Sequence, residues 1–360
     1  MAAAPQCIML APGRAAAANT LLAIACSSGP AATTAAPRGD AIARPTAEIV
    51  SCVDLPRGDA RSHNLSGLAW DPAERRLFAI SDREKLITVL EPRPGFLGFD
   101  LRPSITLDID VDVERWDGEA LAIVDDRFLV VANETEGTVF SVDRTGRDAT
   151  RLELPPFRGA RDNLGLEGIG YAASAEGRYV FVVNEEALEG DGPVSTAAHG
   201  TVVRILRHPL DGGADLEVAY LTDPIFADGE PSDNGVSDLA PLSPERLLLI
   251  ERAYVTGKGN AVRVYEVDLR AASNIAALPD ARAAVPVSKR LVVDLAVVSD
   301  ERCSTPPGPQ RRKTLDNYEG LALGPTLEDG RRVVFLVSDD NMRASQAPRV
   351  LTLAVAPGAL

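Results

Sequence analysis

A formal net charge of -15 on 360 residues sets the chain apart from proteins that bind nucleic acid or anionic lipid through charge, since such a body repels polyanions. Hydrophobic residues at 45% and charged residues at 25% exclude a disordered chain and supply apolar material for a folded core. The charge is uneven: Arg14, Arg38 and Arg44 against Asp40 leave residues 1–46 at +2 and the rest at -17.

Residues 1–46 read as an export signal and tether. Arg14 precedes an Ala-rich apolar run to Ala25, and LLAIAC followed by Ser27 and Ser28 resembles a bacterial lipobox with Cys26 as the acylated residue. Asn19 interrupts the run and Ala23 stands where a lipobox usually has Leu, so a plain Ala-rich tail is the alternative. The expectation is an exported protein, periplasmic, lipid-anchored in the outer membrane or secreted, which meets a membrane only through Cys26. Nowhere else does the sequence approach the roughly 18 apolar residues of a membrane span. Cys7 and Cys26 fall in this removable segment, which leaves Cys52 and Cys303 either as a disulfide or as two free thiols.

From Ala47 the body begins with a short apolar strand, Ala47 to Leu55, that is a candidate for completing a last blade. A hairpin unit then recurs five times, each with polar residues at its open end. LSGLAWDPAERRLFAISD sets Ser66 beside Asp82, and DGEALAIVDDRFLVVANETEG sets Glu119 beside Asn133 and Glu134. LEGIGYAASAEGRYVFVVNEE sets Glu167 beside Asn184 and Glu185, and GVSDLAPLSPERLLLIER sets Asp238 beside Glu251. NYEGLALGPTLEDGRRVVFLVSDDN sets Glu319 beside Asp339 and Asp340. Lys85 to Leu90 and Ile105 to Val113 read as a third and a fourth strand of the first unit.

Self-similarity of this kind predicts an all-β propeller of four-stranded antiparallel blades in a single domain, residues 47–360. The anchors Leu68, Leu121, Ile169, Leu239 and Leu321 are 53, 48, 70 and 82 residues apart, against roughly 40–50 per blade in familiar propellers. Extra material lies in the long gaps, at 186–201, 223–235 and 271–316. The last contains a strand-like run, Arg290 to Val298, and could conceal one decayed unit, so six blades are expected, with five as the alternative.

If the open ends share one mouth, Asp82, Glu119, Glu134, Glu167, Glu185, Asp238, Glu251, Glu319 and Asp339 converge there. Their repulsion calls for a hard divalent cation, above all calcium, with Asn133, Asn184 and Asn341 adding neutral oxygens. Solvated ion pairing with Arg83, Arg252 and Arg343 is the alternative. Asp108 to Glu119, DIDVDVERWDGE, imitates a calcium-binding loop, but Val113 stands where the sharp turn needs Gly. It reads better as an acidic strand edge that feeds Glu119 into the mouth. Ser237 lacks the G-x-S-x-G setting of a nucleophilic serine, and His63, His199 and His208 form no metal motif.

The EGLA-type strand starts, the IER of Ile250 to Arg252 and the NYEGLA…SDDN run that continues to Gln346 resemble the bacterial phytase-like family described as "esterase-like activity of phytase". The resemblance spans about Leu65 to Leu353. It implies an exported propeller with hydrolase activity on phosphate or other esters, and it marks Glu119, Glu167, Glu319, Glu251, Arg252, Asp339 and Asn341 as motif positions. The first unit departs from the pattern, with Ser66 and Gly67 where others show an acid followed by Gly.

Two functional expectations follow. In the first, calcium held by Asp238, Glu134, Glu185, Glu251, Asp339, Asp340 and Asn341 binds a substrate phosphate and acidifies a water. Glu119, Glu167, Glu319 and Arg252 are then the catalytic set, with Arg252 neutralising the departing group. In the second, a non-catalytic propeller at the cell surface binds a ligand or protein at its mouth and uses calcium for stability. Either way the chain is expected to act as a monomer, with no nucleic-acid partner.

Overall fold

A computed structural model describes residues 46–360 apart from 156, 158 and 162. The lipobox-like stretch with Cys7 and Cys26 lies outside the described residues. An N-terminal strand, β1 (Ala47–Asp54), precedes four complete blades. The first blade is β2 (Leu65–Asp71), β3 (Arg76–Ser81), β4 (Leu86–Pro92) and β5 (Phe99–Thr106). The second is β6 (Leu121–Val124), β7 (Arg127–Asn133), β8 (Thr138–Asp143) and β9 (Thr150–Leu152). The third is β10 (Leu166–Ser174), β11 (Gly177–Asn184), β12 (Val202–Pro209) and β13 (Leu216–Leu221). The fourth is β14 (Ser232–Ser243), β15 (Arg246–Val255), β16 (Gly259–Asp268) and β17 (Ser288–Asp294). The chain then forms β18 (Tyr318–Thr326), β19 (Arg332–Ser338) and β20 (Arg349–Val355), and β1 pairs antiparallel with β20 to complete the fifth blade.

The propeller therefore has five blades, not six. The 271–316 interval conceals no unit: its strand-like run is β17, the outer strand of the fourth blade, and the remainder is loop with one short 3-10 turn at Ala281–Ala283. The fourth strand of the first blade is likewise β5, upstream of the expected Ile105–Val113. Residues 107–118 are instead a loop with one short turn, pinned by the buried Trp116, whose Nε1 donates to the Ser81 carbonyl at 3.0 Å.

The second strand of each blade reads as a nearly unbroken apolar run, such as RVVFLVS in β19, because both of its faces are buried. Phe335 and Val337 pack against the first blade with Leu68 and Leu77, while Val334 and Leu336 pack against the fourth with Ile250 and Val264. Five such clusters fill the five interfaces between blades. Each fully buried large apolar side chain contributes about 1.5–3 kcal/mol, so the ring is held by its interfaces rather than by a central core.

Around the axis the inner strands approach too closely for side chains at some positions. A Cβ on Gly67 would lie 2.5 Å from Ala120 Cα, and one on Gly320 would lie 2.3 Å from the Ser66 carbonyl oxygen. This packing, not a turn, accounts for the Gly of the EGL motif. Farther along, Leu121, Ile169, Leu239 and Leu321 line an apolar axial cavity of about 160 Å³.

Cys52 of β1 and Cys303 form a disulfide across 251 residues, Cα to Cα 4.9 Å, and so fasten the closing strand to the loop in front of the last blade. Constraining so long a loop in the unfolded chain stabilises the closed ring by about 2–4 kcal/mol. Cys52→Ser should accordingly lower the melting temperature, and dithiothreitol should lower it in the wild type but not in the variant. Equal midpoints for all samples would show that the bridge contributes nothing to closure.

Candidate functional site

The strand registers determine which residues stand at equivalent places around the ring. Leu65 pairs with Ser81, Leu166 with Asn184, Val236 with Glu251 and Tyr318 with Ser338, each three residues before the anchor of its inner strand. One residue on, Ser66, Glu119, Glu167, Ser237 and Glu319 share the inner level of the mouth. On the second strands, the residues that follow these partners, Asp82, Glu134, Glu185, Arg252 and Asp339, share the next level. The fourth repeat thus runs one residue out of step with the expected pairing of Asp238 with Glu251: it brings Arg252 to the cavity wall and leaves at the inner level Ser237, whose hydroxyl donates to the Tyr318 carbonyl at 3.0 Å.

A slip of one residue turns a strand side chain to the other face, and this decides the fate of both acids. Asp238 lies buried where three of the other copies have Gly and the second has Ala120, accepting from the amides of Leu239 at 2.7 Å and Leu321 at 2.6 Å, and so ties the fourth blade to the fifth. Glu251 accepts from the Tyr220 hydroxyl, from the Asp223 amide at 2.9 Å and from Lys289 Nζ at 2.6 Å, which makes it a brace between blades. Asp340 is also turned away, against His63 Nδ1 at 2.7 Å. Asn133 and Asn184 are spent on their own loops: Asn133 donates to the Arg115 carbonyl at 2.7 Å, and Asn184 accepts from the Arg204 amide at 2.8 Å.

The structure does gather Glu119, Glu167, Glu185, Glu319, Asp82 and Asp339 around one cavity of about 280 Å³, with Arg252 and Asn341 on its wall. Glu134 stands just behind, its carboxylate within 4.8 Å of those of Asp117 and Glu119. Sequence reasoning missed Asp117, Asn163, Asp233, Tyr254 and Asn317, which also line the cavity. Asp117 and Asn317 each precede a mouth Glu by two residues, so strand alternation was a usable signal. Nothing in the repeat marks Asn163, Asp233 or Tyr254.

Eight carboxylates line the cavity against the guanidinium groups of Arg83, Arg252 and Arg343. Arg252 lies 2.9 Å from Glu185, 3.5 Å from Asp233 and 3.9 Å from Glu319. Burial opposes its charge, but these carboxylates outweigh burial and hold it protonated. Ser66, the odd residue of the first unit, donates to Glu119 at 2.8 Å, and Asn317 donates to Glu319 at 2.7 Å. Burial and then the neighbouring carboxylates raise Glu119, Glu167 and Glu319 well above the usual carboxylate range. Burial is also the main reason that Asp82 and Glu134 are pushed up to about 7, Asp339 to about 6 and Glu185, despite Arg252, to about 8.

Such a site holds protons at neutral pH unless a cation replaces them. Its donors are oxygen atoms, with no cysteine or histidine among the described residues of the cavity wall, a set that suits calcium or magnesium rather than zinc. Three buried side-chain atoms of the cavity wall have no hydrogen-bond partner among the described residues: Asp82 Oδ1, Arg252 Nε and Gln346 Oε1.

A search among curated proteins returned no match. Among solved structures, an endo-arabinase from Bacteroides thetaiotaomicron is 9% identical with a TM-score of 0.45, covering 85% of this chain and 95% of its own. A calcium-binding protein, regucalcin, from Agrobacterium tumefaciens is 13% identical with a TM-score of 0.37, covering 86% and 94%. The profile of the phytase-like family, described as "Esterase-like activity of phytase", matches residues 61–342. That match spans all five second strands and the acids at their ends, and the chain belongs to this family.

Proposed function

We propose that the protein is an exported hydrolase of phosphoesters or other small esters, acting at the acidic mouth with calcium held among its carboxylates. The observation that carries the reading is the convergence of eight carboxylates and three guanidinium groups on one cavity of about 280 Å³. Calcium bound there would supply charge that attracts a phosphate and activates water. Glu119, Glu167 and Glu319 are the acid–base candidates, because burial and the neighbouring carboxylates raise their carboxyl groups above the usual range and favour the protonated form. Asn317 fixes the rotamer of Glu319. Arg252, clamped by Glu185, presents a guanidinium to an anionic group, and the exposed Arg343 meets it at the lip. The Cys52–Cys303 bridge supports an oxidising compartment, in line with export.

The second reading, a binding propeller without turnover, is favoured by one observation: among the described residues no lysine or histidine lines the mouth, and Arg252 is already surrounded by acids. p-Nitrophenyl phosphate and phytate, assayed with calcium or with EDTA, separate the two. Calcium-dependent turnover is expected. Calcium that raises the melting temperature while phosphoesters and carboxylic esters all stay intact would favour the binding protein.

Glu119→Gln and Glu167→Gln should each weaken calcium binding several-fold or more, because affinity follows ligand charge. Glu328→Gln, on an exposed turn at the other end of the hairpin, should leave it unchanged and alter stability by about 0.5 kcal/mol or less. Calorimetric titration decides this, and equal losses at Glu328 and Glu167 would mean that the acids act only through net charge.

The raised carboxyl groups also set a pH dependence. Their folded pKa values lie above the unfolded ones, so the folded state binds more protons, and stability falls as pH rises between about 4 and the folded values near 7 to 8. In EDTA the melting temperature should therefore decline from pH 5 to pH 8. Calcium should restore it most strongly at pH 8, where protons no longer compete. A flat profile in EDTA would show that the mouth is not strained by its own charge.

A further inference from the structure

We propose that the mouth takes a single divalent cation, held on the side of the second and third blades by Asp117, Glu119, Glu134 and Glu167, and that the Arg252 guanidinium occupies the place of a second cation on the opposite side. The inference rests on the reading of the mouth as a calcium site, but not on turnover.

The pseudo-fivefold ring makes the argument. At the level of Asp82, Glu134, Glu185 and Asp339, the fourth blade alone supplies a cation, and at the level of Glu119, Glu167 and Glu319 it supplies the neutral Ser237. The Arg252 guanidinium has three carboxylates around it, Glu185, Asp233 and Glu319, all within 3.9 Å. That is the company a bound cation would keep, and it satisfies the charges of this side from within the chain.

The neighbouring acids are also provided for. Asn317 donates to Glu319, the Asn341 amide donates to Asp339 at 2.8 Å, and Arg83 lies 3.0 Å from Asp82 Oδ2, which among the buried oxygens of these three acids leaves only Asp82 Oδ1 without a hydrogen bond to the described residues. A second dication here would have to sit against a buried guanidinium, and like charges at such distances repel strongly away from bulk water.

Among the mouth acids of the second and third blades only Glu185 has such a partner, Arg252. Both blades carry Glu at both levels, as Glu119 with Glu134 and Glu167 with Glu185. Asp117, Glu119 and Glu134 place one oxygen each within 4.8 Å of the others. Glu167, only 7% exposed and facing the cavity, meets the carboxyl group of Glu134 and forms no ion pair among the described residues. Ser66 and the Gly165 amide, at 2.8 and 3.0 Å, hold Glu119 and Glu134 in place without neutralising them. Asp117 is fixed by its own amide, which donates to the Ala132 carbonyl at 3.1 Å.

Calorimetric titration of the full chain with calcium, after EDTA treatment and dialysis, tests this without an activity assay. The wild type should bind one calcium, and Arg252→Gln should bind two, since it uncovers Glu185, Asp233 and Glu319. Arg252→Lys, which keeps the charge, should bind one. Asp117→Asn should weaken the wild-type site by about tenfold or more, whereas Asp233→Asn, across the mouth, should leave it within about twofold. This pair needs no change at Arg252 and remains informative if Arg252→Gln does not fold. Two or more calcium ions on the wild type, an unchanged count in a folded Arg252→Gln, or equal losses at Asp117 and Asp233 would each overturn the proposal. No calcium binding at all would remove it together with calcium-assisted hydrolysis, whereas one calcium bound as described but no turnover would remove hydrolysis alone.

Discussion

The mutual repulsion of carboxylates held in a small, buried space is the constraint on which the mouth depends. Ring closure forces it: five inner strands converge on one axis, and each brings the polar end of its hairpin to the same opening. In water these acids would separate or be screened. In the mouth the backbone holds them, so the alternatives are protonation, an internal cation or a bound one. All three have a counterpart here, in the raised carboxyl groups, in Arg252 and in the oxygen-lined space beside Asp117, Glu119 and Glu134.

The ring tolerates this because its stability is made elsewhere. Apolar clusters fill every interface between blades, and the closing strand β1 is held by β20 on one side and by the bridge to Cys303 on the other. Strain at the mouth is therefore carried by a scaffold that does not use the mouth for packing. Polar braces reinforce it where blades meet. Asp238 ties two inner strands through backbone amides, and Glu251 joins Tyr220, Asp223 and Lys289.

Departures from the repeat fall where the mouth acquires direction. Ser66 and Ser237 remove two of five inner acids, and Arg252 reverses the charge at one of five outer positions. The result is a mouth with an all-acid side and a side that carries its own cation. A symmetric ring of acids would give a substrate no preferred orientation, whereas this arrangement offers an anionic group one side and a cation the other.

The sequence alone determined the architecture, because the propeller is written as local pattern. Apolar runs buried on both faces, turns at Asp71–Arg75 or Glu328–Gly330, and five recurring strand starts are all visible without contacts. It also supplied most of the mouth, since Glu119, Glu167 and Glu319 share one motif position and Asp82, Glu185 and Asp339 another. Blade number was less legible: the loop between β16 and β17 stretches the last spacing without adding a unit. Only the tertiary structure decided which residues of the fourth hairpin stand at the mouth: Val236 pairs with Glu251 as Tyr318 pairs with Ser338, so Ser237 and Arg252 take the places that Glu319 and Asp339 hold in the fifth blade. A repeat records which residue types recur. The backbone pairing fixes which position of each copy stands at the mouth, and because strand side chains alternate between faces, reading the fourth copy one residue off exchanges its arginine for an acid.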